Sequence, residues 1–246
     1  MAAHRLARAS RIDHIFFTCE HGGHRIPAEH AARFHGAARE LESHRGWDAG
    51  ALDVALALAR RLGAPLRYVT WSRLLVDANR APSNPRIWSR VTRALEPEVK
   101  QRVLERYWQP HRNAVEADIA AAIARRQRVV HVAVHSFVPT LAGETRNADI
   151  GLLYDSKRRG ETELCKRWQA RLHELDPTLR VRRNYPYRGS TDGLTTWLRR
   201  LHPQRAYLGI ELELNQDSIA RPRRRSAALL DRLATSLDAL LGDRGP

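Results

Sequence analysis

Three polar runs close apolar, β-prone segments of this chain: Cys19-Glu20-His21-Gly22-Gly23-His24, Val134-His135-Ser136-Phe137 and Glu211-Leu212-Glu213-Leu214-Asn215-Gln216. In α/β proteins sites gather where strands end and loops converge. Histidine is a common zinc ligand, and a catalytic zinc takes three protein ligands and leaves one position open. His21 and His135 each follow an apolar run, so both are placed to serve as ligands, and Gly22 and Gly23 let the backbone turn tightly. Twelve histidines make accidental clusters common, so either residue alone also reads as structural. Glu211 and Glu213 lie two apart in a strand and share a face. In an arginine-rich chain the plain alternative for both is a salt bridge. Tyr107 and His111, four apart on a helix, read as a packing pair.

The elements that must position these groups alternate between strand-like and helix-like patterns, which predicts an α/β fold. Strands are expected over His14 to Cys19, Leu66 to Trp71, Leu74 to Val76, Val129 to Val134, Ile150 to Tyr154 and Leu208 to Leu214. Helical spacing covers Asp48 to Leu62, with Asp48 as a possible N-cap and Gly63 just beyond. It also covers Glu161 to Leu175 and Ser226 to Leu241, and Pro97 to Arg128 with a break or bend near Pro110. The segments 78–93 and 139–147 read as long loops, which inside a compact domain often carry function.

Composition bounds the rest. A length of 246 residues with 43% hydrophobic content suits a buried core, and no domain boundary is visible, so one domain over 1–246 is expected, with residues 1–11 a flexible basic tail. No apolar run is long enough to span a membrane, and Met1 to Arg11 is not followed by a signal-peptide core. The cytoplasm is the expected location. Cys19 and Cys165 make no disulfide framework and read as small buried side chains. The formal charge of +15 would suit a nucleic-acid surface. However, the positive charge is nearly all dispersed arginine, with lysine only at 100, 157 and 166, and no nucleic-acid-binding motif accompanies it. A basic nucleic-acid-binding module is therefore the distant alternative.

Cys-Glu-His-Gly-Gly-His-Arg-Ile-Pro at 19–27 and Trp47-Asp48-Ala49-Gly50-Ala51 resemble motifs of the N-formylglutamate amidohydrolase family. So do Ser72-Arg73-Leu74-Leu75-Val76-Asp77-Ala78-Asn79-Arg80, similar also to the wider zinc carboxypeptidase and aspartoacylase group, and His135-Ser136-Phe137. Arg146 to Asp149, Tyr187-Arg188-Gly189 and Glu213-Leu214-Asn215 continue the order, so the resemblance runs from Ile15 to Gln216.

The resemblance implies a phosphorylase/hydrolase-like fold, a three-layer α/β/α arrangement around a mixed sheet. It implies one zinc per chain held by His21, His135 and a third ligand. The His-x-x-Glu pair of carboxypeptidases is replaced here by His21-Gly-Gly-His24, which leaves Asp48, Glu20 and His24, in that order, as candidates for the third. A helix N-cap is the plain alternative for Asp48, and a contact to a ligand histidine for Glu20. Glu213 is implied as the general base, with Glu211 beside it. Asn79 and Arg80 are implied as clamps for a substrate carboxylate, which suits the planar arginine fork. Arg73 and Arg146 would add positive contacts, Asp77 would orient Arg80 or a turn, and Tyr187, Arg188 and Gly189 would cover the substrate. The implied activity is hydrolysis of the amide bond of an N-acyl amino acid such as N-formylglutamate, a small carboxylate-bearing substrate. A metallo-carboxypeptidase, a desuccinylase or a peptidoglycan-peptide amidase would use the same site.

Overall fold

The structure is a computed structural model that describes residues 12–220 and 223–242. The tail expected over 1–11 lies outside the described residues, as do the side chains of the Arg221–Arg225 cluster.

The sheet strands are β1 (His14–Cys19), β2 (Leu66–Tyr68), β3 (Val129–Phe137), β6 (Ile150–Leu153), β7 (Val181–Arg183) and β8 (Tyr207–Asn215); β4 (Thr140–Leu141) and β5 (Glu144–Thr145) form a separate hairpin. The sheet order is β2-β1-β3-β8-β6-β7. β2, β1, β3 and β8 run parallel, whereas β6 is antiparallel to β8 and parallel to β7, so the sheet is mixed.

Alternation along the strands builds the layers. Val130, Val132 and Val134 of β3 and Leu208, Ile210, Leu212 and Leu214 of β8 face one core, with Ile15 and Phe17 of β1. That face is covered by α1 (Ala51–Leu62), α4 (Arg159–Leu175) and α6 (Arg223–Gly242), through Leu58, Trp168, Leu233 and Leu237. The Trp168 indole donates to Ser236 Oγ at 2.9 Å, which ties α4 to α6. The opposite face packs Phe16, Val129 and Tyr207 against α3 (Gln109–Ala124) and α5 (Leu194–Leu201). Toward the strand ends that face turns mostly polar or small, with Thr18, His131, His135, Gly209, Glu211 and Glu213, and Phe137 at the end of β3. One face is thus an apolar core, and the other changes from core to chemistry toward the strand ends.

A buried ion network locks α4 to α5 and β8. Glu161, with no exposed surface, accepts from Arg199 Nε at 3.0 Å and the Gly209 N–H at 3.1 Å, and Arg158 Nε lies 3.2 Å away.

Several expectations are corrected. Leu74 to Val76 is not a strand. Its backbone bonds locally to Ser72, through Leu74 N–H to Oγ at 3.2 Å and Leu75 N–H to the carbonyl at 2.9 Å. Its side chains are apolar because they fill a small separate core with Phe34, Ile87, Val103 and Tyr107 beneath the 78–93 segment. Asp48 is not the cap of α1: Gly50, at φ +77°, holds that position, and no side chain bonds the first turn. The break expected near Pro110 is a π-helical turn over Leu104–Trp108, between α2 (Pro97–Val103) and α3. Proline has no N–H to continue an α-helical ladder, and the wider turn takes up the mismatch. Both cysteines are buried and free. Among the described residues no helix is long and apolar enough to cross a membrane.

Candidate active site

The ends of β1, β3 and β8 deliver the groups that the sequence singles out. The register pairs His135 with Glu213 and Ala133 with Glu211, so both glutamates sit beside β3 on its polar face. Across β8, Gly151 is the partner of Glu213. A side chain at 151 would collide with the Tyr185 carbonyl, and its absence lets the 184–187 segment pass close over the strand and bring Tyr187 to the site. His21 follows β1, and the Asp48 N–H bonds the His21 carbonyl at 2.9 Å, which carries Asp48 in beside it.

His21, Asp48 and His135, all buried, hold their ligand atoms within 4.8 Å of one another and form a cluster that could hold a metal ion. Asp48 Oδ2 lies 3.3 Å from His21 Nδ1 and 2.8 Å from His135 Nδ1. Ligands of one tetrahedral zinc are about 3.3 Å apart, so the spacing fits. Each far nitrogen faces a carboxylate. His21 Nε2 hydrogen-bonds Asp77 Oδ1 at 2.7 Å, and His135 Nε2 lies within ion-pair distance of Glu20 Oε2, at 3.2 Å, without a hydrogen bond. A carboxylate behind each imidazole is the usual support of a metal-ligating histidine. The donor set therefore suits a small divalent cation.

Of the third-ligand candidates, Asp48 joins the cluster. The Glu20 carboxylate lies behind His135, on its far nitrogen, and His24 stacks on Trp47 with ring centroids 4.9 Å apart. The predicted residues His21, Asp48, Arg73, Asn79, Arg80, His135, Arg146, Tyr187, Glu211 and Glu213 all line one cavity of about 390 Å³. Glu20 does not.

Sequence reasoning missed several contacts. Asp77 serves His21 first; its Oδ2 is 3.8 Å from Arg80 Nε. Asn79 Oδ1 accepts the Leu194 N–H at 2.7 Å and so caps α5. Glu211 Oε1 accepts from Thr195 Oγ1 at 2.8 Å, within the same helix start. Asp192 gathers the loop after Arg80, accepting from Ala81 N–H and Asn84 Nδ2, while its carbonyl accepts from Arg80 Nη1. Arg73 Nη2 lies 3.3 Å from Asp48 Oδ1. Arg146 stands 4.9 Å over the Tyr187 ring and donates to its hydroxyl at 2.9 Å. His44, Arg86 and Arg188 also line the cavity. Only Arg188 had a sequence signal, the Tyr-Arg-Gly run.

The electrostatics follow from burial and from crowding of acids. Burial, with Asp48 and Glu211 nearby, pushes the Glu213 carboxyl up to about 8. Its Oε2 is buried with no hydrogen-bond partner. Burial also raises Asp48, against the hydrogen bond from His135. Burial would lower His135, but the carboxylates of Asp48 and Glu20 outweigh it and hold the imidazole well above its ordinary value. Such a site draws positive charge to the point between His21, Asp48 and His135.

Comparison with known proteins places the chain as a whole. Residues 14–220 match the model of the N-formylglutamate amidohydrolase family. The fold is similar to that of gene product Atu2144 from Agrobacterium tumefaciens, at TM-score 0.77 and 30% identity over 95% of this chain and 94% of that one. It is also similar to the N-formylglutamate amidohydrolase from Ralstonia eutropha JMP134, at TM-score 0.67 and 21% identity over 95% and 93% of the two chains. No curated protein matches the chain. With most of its length matched, from the first sheet strand to beyond the last, the chain belongs to the N-formylglutamate amidohydrolase family and is an amidohydrolase.

Proposed function

We propose that the protein is a zinc-dependent hydrolase that cleaves the amide bond of an N-acyl amino acid, with N-formylglutamate the first substrate to test. One observation carries the reading: Glu213, a buried carboxyl with a free oxygen, is the strand partner of His135, which shares a cation-sized cluster with His21 and Asp48. His21, Asp48 and His135 would hold the zinc. Bound there, it would lower the pKa of water and polarise the acyl carbonyl.

The chain's own groups would do the rest. Glu213 Oε2 would accept the proton of the attacking water and pass it to the leaving amine nitrogen. Burial pushes this carboxyl up to about 8 before a metal arrives, and a bound dication would lower it enough to leave the carboxylate ready to accept that proton. Arg80 would take the substrate carboxylate, pre-set by Asp77 and the Asp192 carbonyl so that little side-chain freedom is lost on binding. Arg146, braced on Tyr187, would add a second positive contact, and Tyr187 would close over the substrate. Arg73 would steady Asp48 as well as face the substrate. Asn79 and Glu211 would act mainly by holding the start of α5 against the site. The whole chain would work as a single catalytic domain, in a reducing compartment such as the cytoplasm that suits its two free cysteines.

The test is zinc content together with formate release from N-formylglutamate. About one zinc per chain is expected in the wild type. Glu213→Gln should keep the metal and lose at least about 10²-fold in kcat. A zinc-loaded protein that cleaves no member of an N-acyl amino acid panel, or a Glu213→Gln variant with full kcat, would refute the reading.

A further inference from the structure

We propose that His111 is a positioning residue: through Glu20 it fixes the ring of His135, and the π-helical turn before α3 sets it in place. The inference rests on the reading of His135 as a metal ligand.

Glu20 is 1% exposed. A buried carboxylate is costly unless its oxygens are engaged. Its partners are two histidines: Oε1 lies 3.4 Å from His111 Nε2, and Oε2 lies 3.2 Å from His135 Nε2. His135 Nε2 and Glu20 Oε2 face each other at 3.2 Å, within ion-pair distance although neither makes a hydrogen bond, and that placement turns the Nδ1 side of the ring to Asp48 and the cluster. Glu20 can hold that orientation only if its own carboxylate does not rotate. The His111 contact on the second oxygen prevents the rotation. The result is a buried chain, His111–Glu20–His135, that ends at the proposed metal.

The helix geometry supports the same role independently. π-helical turns are rare and frequently occur at functional sites. This one, over Leu104–Trp108, ends on Trp108 and just before His111 and Arg112, three side chains that all reach site residues. His111 reaches Glu20. Trp108 Nε1 and Arg112 Nη2 both donate to the Arg80 carbonyl, at 3.0 and 3.2 Å. An uninterrupted α-helix would turn these residues about 100° relative to the preceding helix. Tyr107 does pack, edge-on to Trp71 and with its hydroxyl on Glu29, so the expected packing pair is split: one member packs and the other supports the site.

Zinc affinity, measured by competition with a chromophoric chelator, tests the proposal without recourse to turnover. His111→Leu fills the volume without a donor, and His111→Gln restores one. His111→Leu should bind zinc about 10-fold more weakly and Glu20→Gln about 10- to 100-fold more weakly. The double variant should be no weaker than Glu20→Gln alone, and His111→Gln should recover most of the loss. His111→Leu binding as tightly as wild type, even with a lower Tm, would overturn the proposal while leaving the metal site standing. Equal losses in His111→Leu and His111→Gln would also overturn it. A wild type that takes up no zinc would remove both the proposal and the reading beneath it.

Discussion

Zinc binding to the metal-free protein should release nearly one proton from Glu213 at pH 7. Burial pushes this carboxyl up to about 8, so about nine-tenths of it is protonated at pH 7 before metal arrives. A dication beside its strand partner His135 favours the carboxylate, as any nearby positive charge does, and brings the pKa below the working pH. The Glu213→Gln variant has no such proton to lose. Other groups, His135 among them, also release protons, but they do so in both proteins, and the difference isolates Glu213. The assay is calorimetric titration of zinc in buffers of different ionisation enthalpy. Wild type should release about 0.9 proton more than Glu213→Gln at pH 7, and only about 0.1 more at pH 9, where the carboxyl is already ionised. Equal proton counts at pH 7, or a difference that persists at pH 9, would refute the placing of Glu213 as a buried, proton-holding carboxyl.

Three further outcomes follow from the geometry. Burial drives His131 down to about 4, with Thr18 Oγ1 and Tyr207 Oη at its two nitrogens. Because the folded value lies below the ordinary 6.5, this stabilisation is complete above that value. It is lost as pH falls from 6.5 through about 4, ~3 kcal/mol in all. Urea unfolding at stepped pH should show that acid lability in wild type but not in His131→Gln, and parallel curves would count against it. Glu161→Gln leaves Arg158 and Arg199 buried without their carboxylate and should cost ~3–5 kcal/mol in urea unfolding; a loss below about 1 kcal/mol would mean the network relaxes freely. Arg80→Ala should raise KM for carboxylate-bearing substrates with little change in kcat, and an unchanged KM would move the clamp to Arg146 or Arg188.

The α/β class, the main strands and the strand-end placement of His21, His135 and Glu213 were legible in the sequence because apolar runs and their polar closures are local patterns. Asp48 was legible as the first candidate for the third ligand, but through the family resemblance and not through a local pattern. Its arrival depends on a backbone bond to His21, 27 residues away, and a carboxylate two residues before Gly50 reads equally well as a cap. Glu20 and Asp77 were seen as polar residues near the site, yet which imidazole nitrogen each faces is a matter of tertiary geometry. Leu74 to Val76 looked like a strand because apolar β-branched and leucine side chains signal burial whether the burying partner is a sheet or a loop core. β7, with Arg182 and Arg183 in a three-residue edge strand, gave no apolar pattern to find. The start of α5 is capped by Asn79, 115 residues earlier, so no local signal marked it.

The strand order also bears on when the enzyme comes into being. β1 lies beside β3, whose residues follow more than a hundred positions later, and β3 in turn lies beside β8, from Tyr207 onward. These are non-local pairings, whose loop-closure entropy must be met before contacts reward it, so assembly is slow compared with that of a helical bundle. A ribosome-bound chain short of residue 213 has the ligand cluster's residues but not the carboxyl that would work beside them. With Glu213 in the proposed role, half-made protein would be catalytically silent, and metal that binds only the completed fold would act as a latch, drawing the assembled sheet into the native population by mass action.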